Sequence, residues 1–168
     1  SHIAPTDVRR KLYINRTEAP TIARRYPQLP DYANLKYVTD TRFLGDYCFL
    51  RLEDPLLLYI EALVEKNELP RAQNTLTYFM QNFRDPYYTP TATDQASMRE
   101  EVRWQRRIEL WGEGTAFFDF KRWHLGVDRS KAGSNHTFNV VVPAGDKRWV
   151  YQIPQAEIES NAKMVQNE

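Results

Sequence analysis

The stretch from Arg103 to Trp123, RWQRRIELWGEGTAFFDFKRW, sets arginines and carboxylates in close file with tryptophans, phenylalanines and two glycines. Two kinds of chemistry are open to it. Glu109, Glu113 and Asp119 have the side chains of an acid–base pair for glycoside hydrolysis, which needs two carboxyl groups roughly 5 to 9.5 Å apart across a cleft. The same groups can instead neutralise arginines inside a packed scaffold, where an unpaired charge is costly. The composition favours the second use. A solvated helix face has no need of so many rings, and a plain apolar core has no need of so many charges. Arg106, Arg107, Glu109, Glu113, Asp119 and Arg122 are therefore expected to form a structural network. Arg106 and Glu109 (i, i+3), Glu109 and Glu113 (i, i+4), and Asp119 and Arg122 (i, i+3) are neighbours on a helix surface. The two adjacent glutamates need an arginine from elsewhere, and Arg107 and Arg122 are the candidates.

These residues must be carried by a helix, a turn and a second helix. At about 3.6 residues per turn, Met98, Val102, Trp104, Ile108 and Trp111 share one arc, with Gln105 and Glu109 inside it and Arg106 and Glu113 beside it. Thr93 or Asp94 can start that helix. Gly112 and Gly114 supply its stop and the turn. Phe117, Phe118, Phe120 and Trp123 resume on the second helix. Upstream, Leu50 to Asn67 reads as a helix, with Asp54 as cap and Pro55 in the first turn. Its stripes are Leu52, Leu56, Tyr59, Leu63 and Leu57, Ile60, Val64, so it is expected to be sandwiched, with Glu61 as a partnered carboxylate. After a short break, Ala72, Leu76, Phe79 and Phe83 repeat at helical spacing. Two helices with a short loop make an antiparallel hairpin of tetratricopeptide length.

The remainder is less regular. Residues 1–35 carry four of the ten prolines and no helical periodicity, and read as a long irregular arm in which Asp7-Val8-Arg9-Arg10 and Leu12-Tyr13-Ile14 make a short ordered stretch with one strand. Lys36-Tyr37-Val38 reads as a short strand. Arg84 to Thr93 is a loop expected to expose Tyr87 and Tyr88. Phe138–Val142 and Trp149–Ile153 are β-prone runs around Pro143-Ala144-Gly145-Asp146, which read as a hairpin or as two ends of one loop. Gln155 to Ser160 makes a last helical turn.

Composition excludes several classes. Lys plus Arg is 23 against 22 Asp plus Glu, a net charge of +1, which argues against a general electrostatic grip on nucleic acid. The Arg99, Arg103, Arg107 stripe adjoins Glu100, Glu101 and Glu109 and reads as a salt-bridged solvated face. One cysteine, Cys48, precludes an internal disulfide and reads as a small buried apolar group. His2, His124 and His136 make no metal spacing, so neither metal nor cofactor is expected. No apolar run reaches the roughly 20 residues of a membrane span. No signal peptide is visible.

Three motifs in order carry a family resemblance. The upstream helix carries Arg51-Leu52-Glu53-Asp54-Pro55-Leu56-Leu57-Leu58-Tyr59-Ile60-Glu61-Ala62. The central stretch follows, and the tail reads Ile153-Pro154-Gln155-Ala156-Glu157-Ile158-Glu159-Ser160-Asn161 and then Gln166-Asn167. Over roughly residues 7–167 this resembles the C-terminal region of the SusD/RagB family, whose patterns are R-L-A-D-x-L-L-x-Y-A-E-A, E-R-R-x-E-L-x-x-E-G-x-R-x-x-D-L-x-R-W and I-P-x-x-E-I-x-x-N with Q-N. Gln105 departs from the usual glutamate, Ala116 from the usual arginine, and Met80 and Asn82 stand where arginines are usual. Each departure removes a charge, which suits a network that is structural and can be retuned.

The resemblance implies a mainly α fold of tetratricopeptide-like helical hairpins with long irregular loops and a small β-hairpin near the C-terminus. The expected layout is an arm at 1–49, a helical core at 50–125, and a loop, hairpin and tail at 126–168, together a piece of a larger protein. It implies an outward-facing outer-membrane lipoprotein of Bacteroidetes, held to the membrane only through a lipid anchor outside this chain. The implied activity is non-catalytic binding of oligosaccharides for uptake through a SusC-like TonB-dependent transporter, the protein partner. Tyr87, Tyr88, Trp149 and Tyr151 are the ligand-binding candidates, although ligand loops in the family often lie upstream. A tetratricopeptide-type scaffold binding peptide or protein, and a glycoside hydrolase, are the rival readings.

Overall fold

The computed structural model of the protein describes residues 3–14, 16–17, 20–25, 27–29, 33–36, 49–130 and 138–167. Tyr37 and Val38 of the expected strand, Cys48, His2 and His136 lie outside the described residues. The described chain is mainly helical: α1 (Pro20–Arg25), α2 (Glu53–Glu65), α3 (Leu69–Phe83), α4 (Gln95–Glu109), α5 (Thr115–Arg122) and α6 (Gln155–Ser160), with a two-stranded antiparallel pair β1 (Val127–Asp128) and β2 (Val141–Val142). It divides into two compact units, Ser1–Glu113 and Gly114–Glu168.

In the first unit α2 packs on both α3 and α4. Leu57, Ile60 and Val64 of α2 meet Ala72, Leu76, Phe79 and Met80 of α3 and Met98 and Val102 of α4 in one apolar core. The expected sandwich is incomplete. Leu52 is 79 % exposed and Tyr59 45 %, so the Leu52, Leu56, Tyr59, Leu63 stripe is fully buried only at Leu63, with Leu56 partly buried. Asp54 does not cap α2, which starts one residue earlier; it sits in the first turn, where the helix dipole favours a carboxylate. Phe83 is exposed because α3 ends there, and Met80 takes the inward place. The hairpin loop is short: Asn67 adopts φ 59°, and the Glu68 amide donates to the Leu63 carbonyl at 2.8 Å.

Asp94 starts α4 with a capping box. Its carboxylate accepts from the Ser97 amide at 2.7 Å, while the Ser97 hydroxyl oxygen accepts from the Asp94 amide at 3.1 Å. The buried stripe of α4 runs from Met98 and Val102 into Gln105, Arg106 and Glu109, so three of its five residues are polar. Trp111, expected on that arc, lies beyond the end of the helix and is exposed. Gly112 and Gly114 take left-handed φ values of 77° and 81°, which a side chain rarely tolerates, and make the turn into α5.

The arm is more regular than its prolines suggest. Asp7 caps a 3-10 turn over Val8–Leu12, and Tyr13 makes a single antiparallel bridge with Asn34. Ile14 is fully buried.

The second unit holds α5, β1, β2 and α6. An antiparallel pair is present near the C-terminus, but β2 pairs with Val127–Asp128 and not with residues 149–153. A Cβ on Gly126 would fall 2.7 Å from the Val142 carbonyl oxygen, so glycine there allows the approach. After Gly145 the chain does not return as a strand. Asp146 accepts from the Arg148 amide and starts a 3-10 turn over Lys147–Trp149.

Candidate functional site

Glu109 is the hub of the first unit. Its carboxylate accepts from Arg84 through two nitrogens, both at 2.8 Å, from Arg51 Nη1 at 3.0 Å and from Arg9 Nη1 at 3.3 Å. Glu113, one turn on, accepts from Arg51 at 2.6 and 3.0 Å and pairs with Lys36. Glu53 bridges Arg51 at 3.1 Å and Arg84 at 2.8 Å. Arg9 also donates to Asp7 at 2.6 Å and to Gln105 Oε1 at 2.6 Å. Gln105 Nε2 donates to Glu101 at 2.9 Å, and the Tyr88 hydroxyl donates to the same carboxylate oxygen at 2.8 Å. One continuous chain of hydrogen bonds thus runs from Tyr88 through Glu101, Gln105 and Arg9 to Glu109.

The electrostatics follow from that geometry. Burial pushes the Glu109 carboxyl up, but Arg84 above all, then Arg9 and Arg51, outweigh it and hold its pKa near 2, against an ordinary 4.5. Burial opposes the same shift at Glu113, where Arg51 and Lys36 keep the carboxyl low. Burial lowers Arg51, yet Glu113 and Glu109 leave it raised, and Glu109 raises Arg84. Burial and then Glu101 push the Tyr88 hydroxyl up.

The expected network residues fall into separate groups. Glu109 and Glu113 come together as expected, but their cations are Arg9, Lys36, Arg51 and Arg84, not Arg107 or Arg122. Arg106 is buried and turned towards α2. Its Nη1 lies 2.6 Å from Asp54 Oδ1, at an angle poor for a hydrogen bond, and donates to the Asp54 carbonyl oxygen at 3.2 Å. Arg107 is exposed and stacks on Trp104 with its guanidinium carbon 4.8 Å from the ring centre. In the second unit Asp119 is buried and accepts from Arg122 at 2.9 Å, with Arg122 over the Trp123 ring. Sequence reasoning missed the four outer cations because they lie 25 to 100 positions from Glu109 or Glu113. The only available signal was that two helical carboxylates needed partners from elsewhere.

The aromatic candidates also divide. Tyr87 is 78 % exposed, held by a turn in which its amide donates to Asp85 Oδ1 at 3.0 Å. Tyr88 was expected to be exposed with it and is not. It belongs to the core, and its hydroxyl is committed to Glu101. Tyr151 is 79 % exposed. Trp149 is partly buried: Nε1 donates to the Pro143 carbonyl at 2.9 Å, and the ring stacks on Phe120 at 6.4 Å and 13°. Phe117 touches Trp149, Tyr151 and Phe118, with centroids 5.6, 5.5 and 5.6 Å apart.

The sequence model of the SusD family matches residues 15–168. The chain belongs to the SusD family. Among solved structures, a SusD-like carbohydrate-binding protein from Bacteroides vulgatus is similar over 96 % of this chain and 39 % of its own length, at 18 % identity and a TM-score of 0.66. This SusD-family chain therefore spans about two fifths of that relative and shares its fold. No curated protein matches it.

Two of the three SusD-family motifs meet in space, and the third closes on itself. Arg51, which opens one motif, binds Glu109 and Glu113 of another. The tail pair Gln166 and Asn167 binds the backbone of residues 151–153. The departures are absorbed. Gln105 acts as a neutral bridge, Met80 Sδ lies 3.6 Å from Arg9, Ala116 is exposed, and the Asn82 amide donates to the Tyr78 carbonyl at 2.8 Å.

Proposed function

We propose that this chain is part of a non-catalytic glycan-binding protein of the cell surface, which holds oligosaccharides for uptake. The observation that carries this reading is the separation of charge from exposed rings. The carboxylates that could have made a hydrolytic pair are held by arginines and Lys36, whereas Tyr87 and Tyr151 stand in solvent. Glu109, ionised down to a pKa of about 2, has no proton to donate near neutral pH. A glycosidase acid requires a raised pKa instead. The relative described as carbohydrate-binding supports a sugar ligand.

In this proposal the intact protein is an outer-membrane lipoprotein facing outward, anchored by lipid outside this chain. Its partner is a SusC-like TonB-dependent transporter. The brace around Glu109 is scaffold. Tyr87 and Tyr151 remain ligand-binding candidates, Trp149 becomes a support for the rings beside it, and Tyr88 a support for the loop that presents Tyr87.

A second reading has one observation in its favour. Leu52, Leu58 and Tyr59 of the α2 segment and Tyr78 of α3 are exposed apolar side chains on a helical hairpin, a surface suited to protein contact. An array of neutral and acidic oligosaccharides, run beside a pull-down with the cognate transporter, separates the two readings. Glycan binding without hydrolysis is the expected result. Release of reducing sugar, or transporter capture with no glycan bound, sinks the primary reading.

A further inference from the structure

Resting on the glycan-binding reading, we propose that Phe118 and Tyr151, joined by Phe117, are a sugar-contact surface, and that Trp149, Gln166 and Asn167 are its positioning residues. Phe118 is 65 % exposed and Tyr151 79 %, and both rings contact Phe117. Phe117 and Tyr151 are tilted 40° to each other at 5.5 Å, which makes a shallow angled floor. Flat rings with electron-rich faces suit the C–H face of a pyranose, which is apolar and weakly positive. Trp149 lies at the edge of this floor, with one ring face on Phe120 and its only N–H donor spent on Pro143. It fixes Phe117 more than it meets a ligand.

The tail holds Tyr151 in place. Val150 is extended, and residues 151–153 belong to no helix and no strand. Side-chain amides supply the missing ladder. Gln166 Oε1 accepts from the Ile153 amide at 2.8 Å, Gln166 Nε2 donates to the Ile153 carbonyl at 3.0 Å, and Asn167 Nδ2 donates to the Tyr151 carbonyl at 2.9 Å. Two side chains thus stand in for a neighbouring strand at Tyr151 and Ile153.

The ligand class is a neutral pyranose oligosaccharide. Arg148 and Asp146 hold each other at 2.8 Å, and Arg122 and Asp119 at 2.9 Å, so these groups cancel locally. Lys121, one helical turn from Phe117, is the cation that an acidic sugar would use, and salt separates the two cases.

The test is titration of the 168-residue chain with the neutral oligosaccharide that binds best on an array, at low and high salt. Tyr151→Ala and Phe118→Ala should each weaken binding about tenfold with melting temperature unchanged. Tyr151→Phe should restore affinity. Gln166→Ala should weaken binding while Tyr151 stays in the chain, which a merely structural tail contact would not do without lowering the melting temperature. If glycan binds but Tyr151→Ala and Phe118→Ala keep wild-type affinity, or if binding vanishes at high salt, this surface is wrong and the glycan reading stands. If no oligosaccharide binds, both fall.

Discussion

Gln105 shows how one atom decides the balance of the brace. Its carbonyl oxygen accepts from Arg9 while its amide donates to Glu101. Gln105→Glu removes the donor and sets two carboxylates against each other, so one of them is forced towards its protonated form. The variant should lose roughly 1–3 kcal/mol of stability at neutral pH. The loss should shrink as pH falls and the raised carboxyl takes up its proton. Urea midpoints of both chains at pH 7 and pH 5 measure this, and an equal or larger loss at pH 5 refutes it. Arg106→Ala and Glu113→Ala should lower the melting temperature more than they lower ligand affinity, because both side chains face other protein groups. Calorimetry with ligand titration checks this, and affinity lost at an unchanged melting temperature contradicts a scaffold role.

Among the elements, α4 and the arm depend on each other. Helical spacing in α4 is visible in the sequence, as is its Asp94 start. Asp94→Ala breaks the capping box and should cost about 1 kcal/mol, read from thermal melts. The arm was legible only in part, as a short ordered stretch ending near Tyr13. Short spacing and prolines hide a 3-10 turn whose purpose is to bury Arg9 at 5 % exposure between Asp7, Gln105 and Glu109. Arg9→Ala leaves those carboxylates short of a cation in the interior and should cost about 3–5 kcal/mol. A chemical-denaturation midpoint near wild type would mean that Arg9 is dispensable.

At the scale of the whole molecule the brace sets the acid limit of stability. The Glu109 carboxyl is depressed from 4.5 to about 2 by folding, worth on the order of 3 kcal/mol. A depressed carboxylate stabilises the fold above its unfolded pKa and loses that contribution as pH falls towards its folded pKa. Stability should therefore be level above about pH 5 and decline between about pH 4.5 and pH 2, with Glu109→Gln less stable at pH 7 and flatter in acid. Denaturation midpoints across that range check it, and a wild-type profile that stays level to pH 2 overturns it. By itself the sequence determined helices α2 to α6, the glycine turn, the capped start of α4 and the family, because each helix, turn and motif depends on residues within a few positions of one another. The partners of Glu109 and Glu113, the burial of Tyr88 and the pairing of Val141–Val142 with Val127–Asp128 were decided only by tertiary structure. A carboxylate announces that it needs a cation, but not which of 23 will arrive, since that depends on where distant backbone is brought by packing.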